Sequence, residues 1–532
     1  MSHFKTDPNG HALYVPELLN LVTDLLDAQD WLALMQTCRS IFPTIASRVW
    51  KEVAAQVIMD LIVETRQISD DRLGGWEGIN ESSIFDFSRF DVYAPFVKHI
   101  LVYSRTASSF SNERRRIYVQ RAKEGTFLPN AISITLVTSH PGLSIPEYLF
   151  WTDVLFNPSL RELNIEATTD SAWLSHLIVS DLLDKLTTTY SALEKLEFYP
   201  QATTRSYDAG DTDNFTMTLW PLSPHDLSSC VRLRSITSSI YILSGNGFVS
   251  LGALPQLESL TLHWDNNQPT GLQFSVPVHS FPSLTHLNLL DADTTNLPAI
   301  MGVEQLTSGL ESLEITQNLG REGYHQEHWQ RWLTRVLPCL FEHTSRLKSL
   351  KYDVAQRSQH RNYSSIYTVE PRPLLRAFSR MPLQHVSLVG IGLGLIDLFE
   401  YIPTAFPQVM SFELPHQGIH SAELPLLAKI PNLRRLILGQ TSLTVLPPML
   451  PDPHDPLEVV DATVTPMIFG APIDGEQAAR FLLLSWPNLR RVNRWRPVRK
   501  YKESDWEFAV SEEMETPEIH VRISRFQVNN LA

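Results

Sequence analysis

The sequence predicts an α/β fold: a small three-helix segment followed by a leucine-rich-repeat-like solenoid, with a parallel sheet on its concave side and helices outside. Three observations predict it. A leucine-x-x-leucine-x-leucine pattern recurs over most of the 532 residues. Leucine is about one residue in seven, and the first fifty residues carry a different, helical periodicity. With 43% hydrophobic and 19% charged residues the chain forms a core and is not disordered. Length alone, at about 150 residues per domain, would suggest three or four domains, but a repeat array escapes that rule.

Near the N-terminus, "YVPELLNLVTDLLDAQDWLALMQTCRSIFPTIASRVWKEV" reads as three short helices. Pro16 suits a first helical turn, where its missing N–H costs nothing. Leu18, Leu21, Val22, Leu25 and Leu26 then recur at spacings of three and four, which places them on one apolar face. A turn at Asp27–Gln29, with Gln29 or Asp30 as N-cap, leads into a second helix over Trp31–Cys38, where Leu34 and Cys38 stand four apart. Pro43 biases Phe42 away from helical geometry, so a third helix starts there and runs through Trp50. These helices are apolar on more than one side. They either pack on the rest of the chain or dock onto a partner.

The order Val15-Pro16-Glu17-Leu18-Leu19, then Leu25, Asp30 to Leu34, Cys38-Arg39, Ala46 and Trp50 resembles the F-box. Two places depart from the family pattern: one residue fewer separates the proline from the first leucine pair, and Ile41-Phe42 stands where an aromatic normally follows the cysteine–basic pair. The resemblance implies a Skp-type adaptor as partner and, through it, a cullin–RING ubiquitin ligase. Carried onto this chain, it makes Pro16, Leu18, Leu19, Leu21, Leu25, Leu34 and Cys38 the adaptor-binding residues.

The repeat begins at Leu160, Leu193, Leu233, Leu257, Leu284, Leu310, Leu347, Leu383, Val409, Leu433, Leu457 and Leu489, with fainter copies near Val97 and Ile132. Intervals run from 24 to 40 residues and average about 30, near the upper end for leucine-rich repeats. A proline often precedes the first position, as in "FPSLTHLNL" and "IPNLRRLIL". Because side chains alternate along a strand, the fourth and sixth positions point into a shared core while the third, fifth and seventh face outward. Segments of helical period, such as "EHWQRWLTRVLPCLFEH" and "LIDLFEYIPTAF", lie between. The layout, including "FDFSRFDVYAPFVKHILVYS" between box and repeats, resembles fungal F-box proteins with irregular leucine-rich repeats. The expected boundaries are 12–54 for the three-helix motif, 55–95 for a helical and acidic linker, 96–510 for the solenoid and 511–532 for a tail or cap. Residues 69–83, 199–226 and 446–456 read as surface loops.

Composition narrows the function classes. The 44 basic and 58 acidic residues give −14, a field that disfavours bulk binding to nucleic acid or anionic membrane. Cys38, Cys230 and Cys339 are far apart, which excludes a disulfide framework or structural zinc site. No secretory signal or spanning helix is expected, hence an intracellular protein, cytoplasmic or nuclear. Gly390-Ile391-Gly392-Leu393-Gly394, with Glu413 beyond, imitates a dinucleotide fingerprint but has Leu395 where the last glycine belongs. His325 and His328 lack the H-E-x-x-H spacing and a third ligand. No nucleophile elbow or phosphate loop occurs, so no catalytic residue, metal or cofactor is expected.

A non-catalytic recognition subunit follows, in which the box holds the adaptor and the repeats hold an unknown protein target. The alternative is a solenoid scaffold without ligase assembly. Reading the outward columns gives His263, His286, Asn288, Lys351, His385, Arg435, Arg491 and Trp495 as target-binding residues. The C-terminal end is favoured because seven positive charges lie within residues 490–502. They form either a solvated face or a patch for an acidic or phosphorylated segment. Arg114-Arg115-Arg116 reads as a helix surface.

Overall fold

The computed structural model describes residues 16–37, 39–67, 82–103, 110–125, 127–138, 144–167, 173–189, 192–201, 227, 229–244, 246–264, 276–292, 296–318, 336–355, 367–368, 371–392, 401–415, 419–420, 424–427, 429–442, 461–467 and 491–493. It forms two compact units, Met1–Gln256 and Leu257–Ala532.

The first unit opens with helices α1 (Pro16–Asp24), α2 (Ala28–Thr37) and α3 (Phe42–Val49). Asp27 Oδ1 accepts the N–H groups of Gln29 at 2.9 Å and Asp30 at 3.0 Å. The cap is therefore Asp27, and α2 starts earlier than the sequence suggests. Leu19, Ile41 and Ile45 make a small core, lined by Trp31, Leu34, Met35 and Val49. Arg48 clamps α3 to α1 through Asp24 Oδ1 at 2.5 Å and Asn20 at 3.1 Å.

Strands Glu52–Ala54, His99–Tyr103, Ser133–Thr138, Glu162–Ala167, Lys195–Phe198 and Ser235–Ser239 then pair in chain order, all parallel. The sheet thus begins at Glu52, ahead of where the sequence marks the solenoid. Trp50 stands in the first-leucine position of this hidden repeat, Val53 in the fourth and Ala55 in the sixth, so no leucine announces it. An antiparallel hairpin, Val63–Gln67 with Ser82–Asp86, departs from the ladder. Helices Asn112–Glu124, Ile145–Leu155 and His176–Thr189 supply core side chains such as Tyr118, Trp151, Leu182 and Leu186.

In the second unit, strands Ser259–His263, His286–Ala292, Ser312–Asn318, Ser349–Ala355, His385–Val389, Ser411–Leu414, Arg435–Ser442, Asp461–Met467 and Arg491–Asn493 are likewise parallel and in chain order. Described helices between these strands include Leu337–His343, Pro371–Phe378 and Ile402–Ala405. Both units are therefore leucine-rich-repeat-like α/β arrays. Leu260, Leu262, Leu287, Leu289, Leu313 and Ile315 are buried, while the residues between them face the open side of the sheet.

The same backbone bonds recur along each described ladder, from Lys51 to Glu194 and from Glu258 to Met410. The second-position carbonyl of one repeat accepts two N–H groups from the next, as Lys98 does from Ile132 and Ser133, and Glu258 from Thr285 and His286. The N–H of the first position closes a turn onto the carbonyl three residues back: Leu284 onto Phe281, Val409 onto Phe406, Leu433 onto Ile430. Pro282, Pro407 and Pro431 occupy the second residue of those turns, where a fixed φ is favourable. That is the physical reason for the proline preceding the repeat.

Gly390 ends the His385–Val389 strand at φ +77°, and a Cβ there would lie 2.8 Å from the carbonyl oxygen of Val354 on the neighbouring strand. This glycine is explained by a tight turn against the sheet. Gly390→Ala should lower stability by about 1–3 kcal/mol, read as a reduced unfolding midpoint. Gly125→Ala, in extended backbone with open space around the new methyl, should be neutral or slightly stabilising.

Candidate functional site

The first candidate site lies on the N-terminal helices. Leu19 is buried and Leu34 half-buried, so both serve the small core. Leu18, Leu21 and Leu25 point out of it, with Leu21 62% and Leu25 88% exposed. Val22 and Leu32, which the sequence reading did not assign to the site, are exposed as well. The signal for Val22 was present, since it follows Leu18 by one helical turn. The side chain of Pro16 and the whole of Cys38 lie outside the described residues. Uncovered leucines on adjacent turns are a surface that a partner would bury.

Behind this face the helices are mounted on the first repeats. Trp50 stacks on Tyr93 with ring centroids 4.5 Å apart, and Phe42 meets Tyr93 at 5.9 Å and Phe96 at 6.1 Å. Arg114 does not lie on a plain helix surface. Its guanidinium reaches the carbonyls of Met59 and Ile62, each at 3.3 Å, bonds the Tyr118 hydroxyl and covers the Phe110 ring. Arg121 holds Asp91 with both carboxylate oxygens, at 3.0 and 3.1 Å.

The second candidate site is the open face of the repeats. In the second unit the register aligns Ser259, His286, Ser312, Ser349, His385, Ser411 and Arg435 in one column. Thr261, Asn288, Glu314, Lys351, Ser387 and Glu413 form the next. His263, His286, Asn288, Lys351, His385 and Arg435 therefore share this open face. Arg491 continues the first column through Asp461, but its side chain and Trp495 lie outside the described residues.

Charges in these columns are matched across strands. Lys351 Nζ lies 2.7 Å from Glu314 Oε1, and Arg435 Nε lies 3.4 Å from Glu413 Oε1. The hydrogen bond that Lys351 donates to Glu314 raises its ionisation above the ordinary lysine value. At the rim Lys348 bonds Glu311 at 2.9 Å and holds its carboxyl below the usual range. Asn288 donates to Thr261 at 3.2 Å. Arg435 is thus already engaged and is not a free anchor for an acidic target.

In the first unit the same columns hold Glu162, Asn164 and Glu166 on one strand and Lys195 and Glu197 on the next, followed by Tyr199. The sequence reading began its columns at Leu257 and passed over these residues, although counting from Leu160 and Leu193 finds them. Tyr199 donates its hydroxyl to Glu197 Oε1 at 2.8 Å, and burial together with Glu197 pushes its ionisation well up.

Among the described residues no group of His, Cys, Asp and Glu could hold a metal ion. Burial raises the Cys230 thiol, which makes it a poor nucleophile. His325 and His328 lie outside the described residues. None of the described helices is long and apolar enough to cross a membrane.

No protein-family model matches the sequence, and no curated protein matches it. Solved structures give weak likenesses. The structure of a TLR13–ssRNA13 complex is 12% identical, covering 75% of this chain and 50% of that one at a TM-score of 0.35. An internalin from Listeria monocytogenes is 14% identical over 62% of this chain and 89% of its own, TM-score 0.26. The mouse RP105/MD-1 complex is 13% identical over 80% and 54%, TM-score 0.27. The chain spans about half the length of the first and third of these proteins. The class of fold is set by the register itself: a leucine-rich-repeat-type array.

The Glu314–Lys351 pair is half-exposed, so a double-mutant cycle with methionine at both positions should return a coupling of about 0.2–1 kcal/mol. The coupling should shrink in high salt. Folding raises the Lys351 value, so its contribution is complete at neutral pH and is lost as pH climbs through the raised lysine range.

Proposed function

We propose that the chain is the non-catalytic substrate-receptor subunit of a Skp–cullin–F-box type ubiquitin ligase, acting in the cytoplasm or nucleus. The N-terminal helices bind the adaptor, and the repeats bind a protein target. The observation that carries this reading is the uncovered leucine face, Leu18, Leu21 and Leu25, over a separate small core, in a segment whose residue order resembles the F-box. Its mechanism is proximity: target lysines are held at high effective concentration near a ubiquitin-charged enzyme bound elsewhere. The aromatic mount at Trp50, Phe42 and Tyr93 suits that role, because it fixes the box on the first repeats. Pro16, Leu18, Leu21, Leu25 and Cys38 are assigned to the adaptor, with Leu19 and Leu34 supporting them from within.

Affinity capture of the full chain, read by mass spectrometry, tests the proposal. The parent should recover a Skp-type adaptor and a cullin. Leu21→Asp with Leu25→Asp should reduce both by at least about tenfold at an unchanged melting midpoint, since exposed substitutions cost the fold little. Leu19→Ala should instead weaken the helical segment itself by about 2–5 kcal/mol. Undiminished adaptor recovery by the folded double variant, or none by the parent, leaves an interaction scaffold without ligase assembly.

A further inference from the structure

The open face of the first unit carries carboxylates that its own sheet leaves unneutralised. Glu162 and Glu166 rise from one strand; on the next, Lys195 stands in register with Glu162 without forming an ion pair to it, and Glu197 in register with Asn164. The unit's ion pairs lie elsewhere, at Asp24, Asp91, Asp153, Asp181 and Glu194; among the described residues none engages Glu162, Glu166 or Glu197. This contrasts with the second unit, where Glu314 and Glu413 each hold a cation.

Asn164 stands amid these groups and is only 8% exposed. Its Nδ2 lies 3.4 Å from Thr135 Oγ1, and its Oδ1 has no hydrogen-bond partner. A buried acceptor without a donor is destabilising, which an incoming N–H would relieve. An acceptor flanked by carboxylates is complementary to donors that carry positive charge. A bare metal ion fits poorly, because the described carboxylates do not converge as ligands. Glu166 and Glu197 both raise the ionisation of Tyr199, so their fields overlap at one place. Trp173, stacked 6.3 Å from Tyr199 and edge-on to Tyr241 at 6.1 Å, is buried with both, so the carboxylates stand against a low-dielectric wall. Such a wall strengthens a charge pair formed beside it.

We propose that the open face of the first unit captures a lysine- or arginine-bearing segment of a partner protein, its cationic side chain seated among Asn164, Glu166 and Glu197. The proposal rests on the repeats being a protein-interaction scaffold and is independent of the adaptor. It assigns target capture to the first unit and not to the basic residues 490–502.

The full chain is titrated by fluorescence anisotropy with two labelled peptide pools. They are identical except that central Lys and Arg residues in one are acetyl-lysine and citrulline in the other. The cationic pool should bind at least about tenfold more tightly. Glu166→Gln with Glu197→Gln should weaken it about tenfold, as two half-exposed pairs would, and Asn164→Ala about threefold. Glu314→Gln with Glu413→Gln, on the second unit, should leave it unchanged. Equal affinity for both pools, no binding by the parent, or an unchanged affinity in the folded first-unit variant overturns the proposal. The pool comparison needs no variant and so does not depend on any variant folding. Adaptor capture by the same proteins reads the ligase proposal separately.

Discussion

Each unit depends on one backbone constraint: the second-position carbonyl of a repeat accepts two N–H groups from the next. That single acceptor sets the register, and the register decides everything carried by side chains. Once Glu258 takes the N–H groups of Thr285 and His286, Leu260 must face Leu287 and Thr261 must face Asn288. A slip by one residue would turn Leu287 and Leu289 into the open and His286 and Asn288 into the core. The leucines exist to make that slip costly, at about 1.5–3 kcal/mol for each side chain moved from core to water.

The constraint also explains how the N-terminal helices join the array. Lys51 accepts the N–H groups of Lys98 and His99 in the same way, although its repeat has no leucine at the first, fourth or sixth position. Trp50 is at once the last residue of the box-like segment and the first residue of the first repeat. The segment therefore has no flexible tether; it ends where the sheet starts. Tyr93 and Phe96, at the end of that same repeat, wedge against Phe42, and Tyr93 also stacks on Trp50, while Arg114 satisfies carbonyls in and just after the helix that follows Trp50.

Legibility in the sequence follows from what each feature needs. The repeats from Leu160 onward were plain, because alternation in a buried strand tolerates little but Leu, Ile, Val and Phe. The proline before them was visible, and the turn supplies its reason. The repeat at Trp50 was hidden because an indole, a valine and an alanine fill its core positions. The open-face columns could be counted, but pairing could not. Arg435 looked like a free cation until the register set Glu413 beside it. Gly390 looked like part of a phosphate-binding run until its positive φ and the Val354 carbonyl accounted for it.

Folding and recognition are written in separate positions of the same strand. First, fourth and sixth residues answer to the core, and changing them changes stability. Third, fifth and seventh residues mostly face the open side, with exceptions such as the buried Ser133 and Asn164, so most of them are free to carry a surface chemistry without altering the fold. The two units use that freedom differently. The second closes its open face with cross-strand pairs, Glu314 with Lys351 and Glu413 with Arg435, which add modest stability and leave little net charge. The first leaves Glu162, Glu166 and Glu197 outside the described ion pairs, around an amide whose buried Oδ1 has no partner, with Glu197 accepting only the neutral Tyr199 hydroxyl. Carboxylates gathered there repel one another, and the cation proposed for that face would relieve the repulsion.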